Sequence, residues 1–152
     1  MEIEKRSFEI ISHELSEMQI TLPADQEMIT KRVIHTSADF DYIQTLKYSK
    51  DAVAIAKRLI SEGADIVTDT NMALSGINKK YLAKFGGQVH CFMADDEVAL
   101  IAKEKKTTRA AVSMEFASRI DKPVIFAIGN APTALIEPVS YTHLTLPTNS
   151  RV

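Results

Sequence analysis

Cysteine is nearly absent. Cys91 is the only one in 152 residues, so no disulfide can close within the chain, and a reducing, cytosolic setting is expected. An excess of positive charge is missing too. Lys and Arg number 18 against 20 Asp and Glu, a net charge of −2, whereas a nucleic-acid protein carries a basic surplus. No apolar run approaches the ~20 residues of a membrane span, and the charged opening MEIEKRSFEI has no apolar signal core. Neither G-x-G-x-x-G nor a Walker phosphate loop occurs, which leaves nucleotide binding with little support. The H-x-x-x-H and C-x-x-C spacings of metal sites are missing, as is the G-x-S-x-G elbow of a serine nucleophile. What remains is an ordinary composition, 45% apolar and 25% charged, long enough for one domain with a real core. A soluble intracellular domain, contacting neither membrane nor nucleic acid, is the expectation.

The pattern along the chain alternates. Residues 3–18 read as an amphipathic helix, with Ile3, Phe8, Ile11 and Leu15 near helical spacing. A second helix restarts at LPADQEM, with Pro23 in its first turn, and runs to about His35. A third runs from Ser49 to Gly63. ADIVTD is a short β-branched run of the kind buried in parallel sheets. Residues 71–86 read as one helix closed by Gly86 and Gly87, QVHCFM as a strand, and DDEVALIAKEKK as a helix with acidic start and basic end. TTRAAVSMEFASRI is a further helix, KPVIFAIGN a third strand, and APTALIEP begins a helix at Pro132. Strands alternating with helices predict an α/β fold, a three-layer, doubly wound parallel sheet with helices on both faces. Residues 139–152, VSYTHLTLPTNSRV, lose the helical period and resemble translated adapter sequence. The reading therefore takes 1–138 as the domain, incomplete at its C-terminus, and 139–152 as a non-native tail.

In such a sheet, ligands bind outside the carboxyl ends of the strands, where helix N-termini point N–H groups outward. DIVTDTNMALSG puts Asp69, Thr70 and Asn71 there; VIFAIGNAPTAL puts Gly129, Asn130 and Thr133 there. Each also reads as an ordinary helix cap, Asn130 as the cap of the helix that Pro132 starts. His35 falls at a helix C-terminus, where the negative dipole end favours a cation. It fits either a packed helix end or a general acid facing a ligand. His13 reads as solvated. His90 and Cys91 are strand neighbours pointing to opposite faces, which makes no metal pair. Arg6 and Arg109 are the cations set among small or polar residues. These residues alone give a ligand rim and one candidate acid, and no reaction.

IEKRSFEII, RVIHTSADFDY, ADIVTDTNMALSGINK and FAIGNAPTALIE, in this order, resemble the precorrin-8X (cobalt-precorrin-8) methylmutase family over residues 2–138. That resemblance implies an isomerase of cobalamin biosynthesis, which moves a methyl group from ring carbon eleven to ring carbon twelve of a corrinoid macrocycle. It implies no cofactor and no catalytic metal; cobalt, where present, belongs to the substrate. The family's catalytic histidine falls on His35, which would protonate or hydrogen-bond a ring nitrogen, and its substrate-contacting serine falls on Ser7. Thr36, Ser37 and Asp39 would then support the histidine, with Arg6 and Arg109 meeting the ring's carboxylates. Asp69, Thr70, Asn71, Asn130 and Thr133 would line the same ligand. A homodimer is also implied. The departure lies in the residues after TALIE, where the family continues with further helix, strand and a glycine-rich turn. A corrinoid-binding module without turnover is therefore the rival reading.

Overall fold

The computed structural model describes residues 2–145, and side chains over 3–138. Between Ala54 and Ile55 the chain divides into two compact units. The first is helical. α1 (Glu2–Glu17), α2 (Glu27–Ser37) and the short α3 (Tyr42–Thr45) pack Ile11, Leu15 and Ile34 into a core sealed by Ile20, Leu22, Phe40 and Ile43. Ile11 and Leu15 are four apart and so share one helix face, which is why the period of α1 is legible in the sequence.

The second helix starts later than the sequence predicts. Pro23 is outside it, in a turn whose closing N–H groups, from Gln26 and Glu27, bond to the Pro23 carbonyl. At its other end α2 passes His35 by two residues and stops where Ala38 turns left-handed (φ 55°), its N–H reaching the Ile34 carbonyl. α3 was not foreseen. Its entry is an Asx turn, with Asp41 N–H donating to Asp39 Oδ1 at 2.8 Å.

α4 (Ala52–Ser61) leads into the second unit, a three-stranded parallel sheet. β1 (Asp65–Thr68) is central, flanked by β2 (Val89–His90) and β3 (Val124–Ala127), in the order β2-β1-β3. The register sets Val67 beside His90 and Phe126, so those three share a face. Adjacent Val67 and Thr68 point to opposite faces and are both 0% exposed, so β1 is covered on both sides. One cover is visible in the core: Val67, Val124 and Phe126 pack with Ala110, Met114 and Ala117 of α8 (Arg109–Ala117) and Ala134 of α9 (Pro132–Thr145). α7 (Asp96–Glu104) joins through Val98 and Ala102 against Val112. The predicted α/β class and parallel sheet hold.

In the second unit the expected strand QVHCFM is reduced to Val89–His90, and two helical stretches also depart from their sequence reading. Residues 71–86 are broken into α5 (Asn71–Gly76), α6 (Lys79–Leu82) and a 3-10 turn (Ala83–Phe85). Ile77 is extended and Asn78 caps α6 by accepting from Tyr81 N–H, so Gly76 and Asn78 act as breakers rather than tolerated interior residues. At the other end, α9 does not stop at Pro138. It continues to Thr145 with Pro138 inside it, at the loss of one helical hydrogen bond. Residues 146–152 of the expected tail lie outside the described residues. No helix among the described residues is long and apolar enough to cross a membrane.

Candidate functional site

The residues singled out from the sequence fall into two groups, one on each unit. In the first unit, His35 is exposed in the last turn of α2. Its ring lies 5.6 Å from the Phe8 ring at a 34° tilt. Arg32, one turn before it, sets its guanidinium 4.8 Å over the same ring and pairs with Glu4. That pairing, more than the charge of His35, holds the Glu4 carboxyl below the ordinary range. Glu4, Phe8 and Arg32 are the neighbours that sequence reasoning missed. The signal was available, because Glu4 and Phe8 stand at i and i+4 on one face of α1.

The expected supporting shell of His35 is engaged elsewhere. Thr36 donates to the Arg32 carbonyl at 2.9 Å and Ser37 to the Val33 carbonyl at 2.8 Å. The Ser37 hydroxyl also accepts from Asp39 N–H, and the Asp39 carboxylate starts the turn into α3. These are local bonds of hydroxyls on a helix and of an Asx turn. They end the helix and fix where His35 stands without touching its ring. Ser7 donates to the Ile3 carbonyl at 3.1 Å and keeps its lone pairs. Arg6 is exposed and makes no ion pair with another described residue.

In the second unit, the strand-to-helix turns after β1 and β3 do meet. These two strands are parallel neighbours, so both turns leave the same edge of the sheet, where α/β sheets open a ligand crevice. Asp69 bridges it. Only 1% exposed, its carboxylate accepts from Gly129 N–H (3.2 Å), Asn130 N–H (2.8 Å) and Ala131 N–H (2.9 Å). Asp69, on the neighbouring strand end, thus holds the three amides that lead into α9. The backbone donors that the sequence offered to a ligand are taken by the protein's own carboxylate. Thr70 does cap α5, accepting from Ala73 N–H at 3.2 Å, and Asn71 is exposed beside it. Thr133 accepts from Thr108, the cap of α8, at 3.1 Å, which brings the N-terminal turns of α8 and α9 side by side next to exposed Arg109.

A second buried carboxylate lies on β1. Asp65 accepts from Gln88 N–H at 2.8 Å, has His90 Nε2 at 2.8 Å and Lys122 Nζ at 3.6 Å, and so ties β1 to the segments entering β2 and β3. His90 is stacked on Phe92 and turned to Asp65, as a structural partner. His13 is exposed beside Glu17, as expected. No group of three or more metal-binding side chains occurs among the described residues.

Both carboxylates make stability depend on acid. Burial pushes the Asp69 pKa up, but the Ala131, Asn130 and Gly129 N–H groups outweigh it and hold the pKa below 3.8. Burial opposes ionisation of Asp65 likewise, and His90, the Gln88 N–H and Lys122 reverse it. A folded pKa below the unfolded one stabilises above about pH 4 and is lost as pH falls through the lowered values. The melting temperature should therefore be flat from pH 7 to about 5 and drop below about pH 4. Calorimetry over that range would contradict this if the protein became more stable on acidification.

Comparison with known proteins adds to this geometry. The family profile described as precorrin-8X methylmutase (CbiC) matches residues 2–147. The cobalt-precorrin-8 methylmutase of Salmonella typhimurium is 42% identical over 138 residues, covering 88% of this chain and 65% of that protein. The Priestia megaterium protein of the same name is 40% identical over 136 residues, covering 90% and 60%. The chain thus spans less than two thirds of the length of these curated relatives. Among solved structures, the precorrin-8X methyl mutase of Thermus thermophilus superposes with a TM-score of 0.81 at 32% identity, covering 94% of this chain and 68% of that one.

Proposed function

Because the chain belongs to the precorrin-8X methylmutase family, we propose that it isomerises a corrinoid by an intramolecular methyl shift, with His35 as proton donor. The observation that carries this reading is the state of His35: an exposed imidazole at a helix end whose hydroxyl neighbours are bonded to backbone, leaving the ring unclaimed by them. A methyl shift within a bound macrocycle needs no nucleophile. It needs the ring held still and one group that stabilises the charge arising on a ring nitrogen. A hydrogen bond or proton from the imidazole supplies that, and Ser7, on α1 with its lone pairs open, is a second polar contact. The periphery of the ligand carries carboxylates, for which exposed Arg6 and Arg109 are charge-assisted partners. Thr70, Asn71, Asn130 and Thr133 supply polar edge contacts.

The reading extends to a cobalt-bearing substrate, since the two relatives near 40% identity carry cobalt-precorrin-8 in their names. It also includes a cytoplasmic setting, with Cys91 as a free thiol, and a homodimer. Incubation of the chain with cobalt-precorrin-8 should change the visible spectrum as the conjugated system is altered. Absence of any change, with the substrate shown to be intact, counts against the isomerase.

The alternative is a corrinoid-binding protein without turnover, for which exposed Arg6, Arg109, Asn71 and Asn130 supply polar contacts whether or not His35 acts on the ring. A bound corrinoid whose spectrum never converts would support it over the first.

A further inference from the structure

Three N–H groups converging at the start of a helix normally make an anion site open to a ligand. In this protein the anion is built in. Asp69 sits at the end of β1, and the amides it holds belong to the turn between β3 and α9, 60 to 62 residues away. Its carboxylate is 1% exposed, so it serves no outside partner directly. Near it are Asn71 after β1 and Asn130 before α9, both exposed, and Thr70 and Thr133, half-buried with their hydroxyls bonded to Ala73 N–H and Thr108. Pro132 has no N–H, so the first turn of α9 presents one donor fewer. The Asn130 backbone is bound while its side chain stays exposed.

We propose that Asp69 is a positioning residue: an internal anion that latches the ends of β1 and β3 together and so fixes the polar rim that grips the ligand. This deepens the corrinoid reading and rests on it. Geometry gives the reason. The latch joins the turns after β1 and β3, so without it the 129–131 turn loses this polar tie to β1 and is left to the packing of Ile128 and Ala131 against the core. The rim residues of the two strand ends would then lose their common spacing. Three bonds to one carboxylate also define the turn more closely than a side-chain cap from Asn130 could, since that would bind locally and leave β1 out. The same arrangement closes this turn to phosphates, in accord with the missing phosphate loop.

The test uses the full chain, with cobyrinic acid, the product of the proposed methyl shift on the cobalt-bearing ring, as titrant. Asp69→Ala should weaken binding by at least about tenfold, and sodium formate, placing a carboxylate back among the three amides, should restore much of that affinity where sodium chloride does not. In the unaltered chain, cobyrinic acid should slow hydrogen exchange at the Gly129, Asn130 and Ala131 amides more than elsewhere in the sheet. That arm decides the matter if Asp69→Ala does not fold. A folded Asp69→Ala chain with unchanged affinity would overturn the proposal, as would formate raising thermal stability without affinity, or exchange at the three amides unmoved by bound cobyrinic acid. If the unaltered chain does not bind cobyrinic acid at all, the corrinoid reading itself falls.

Discussion

Conversion of the corrinoid substrate should fall by about 10²–10⁴-fold when His35 is replaced by alanine, the range that a positioned acid or base contributes. Folding should hardly change. His35 is exposed in the last turn of α2, with the Phe8 ring 5.6 Å from its own. Alanine is a good helix former, and exposed substitutions of this kind stay within about 0.5 kcal/mol. The Ile34 anchor beside it, 1% exposed, keeps α2 in place whatever stands at 35. Stability and conversion are therefore separable here. His35→Gln refines the result, because an amide can hydrogen-bond a ring nitrogen but cannot protonate it. Substantial activity in His35→Gln alone would assign a hydrogen-bonding role. Full activity in His35→Ala, followed by the visible spectrum, would remove the histidine from the mechanism.

The largest structural effect should come from Gly87→Ala. A Cβ at this position would stand 2.4 Å from the Ala64 carbonyl oxygen and 3.0 Å from two Leu82 side-chain carbons. The first contact is with backbone, which cannot swing aside, because Ala64 leads directly into β1 and Gln88 N–H is bonded to Asp65. The approach must open, and with it the β1–β2 pairing. A cost of about 3 kcal/mol is expected, at the upper end for overpacked sites. That is a large share of the ~5–15 kcal/mol that hold a domain, and about 10 °C in melting temperature. Gly86 is the control. It has φ +84° but open space around it, so alanine there meets only the left-handed penalty of about 1–2 kcal/mol. Equal urea midpoints for the two variants would refute the argument.

Those adjacent glycines show where sequence reading stops. Both were read as the close of a helix. Gly86 is that, the left-handed cap of the Ala83–Phe85 turn. Gly87 is required by a chain segment more than 20 residues away, and no local pattern announces it. The aspartates divide in a similar way. Asp39 was read as part of a shell around His35 and instead starts its own turn, a local event that a closer reading of SADFDY could have found. Asp69 was read with Thr70 and Asn71 as one group of caps. Thr70 caps its own helix as the sequence suggests, whereas Asp69 holds the turn that follows a different strand.

What the sequence determined by itself is what depends on neighbours along the chain. Helix faces such as Ile11 with Leu15, the acidic start and basic end of α7, the strand ADIVTD, and the motif order that places the chain in its family all belong here. These follow from a period of 3.6 or 2 and from short-range capping, which any window of residues reveals. The tertiary structure alone decided which strands adjoin. The order β2-β1-β3 brings Asp69 to the 129–131 turn and Asp65 to both Gln88 and Lys122. Buried carboxylates need partners wherever the fold supplies them, and their partners are set by the sheet order rather than by the spacing of letters.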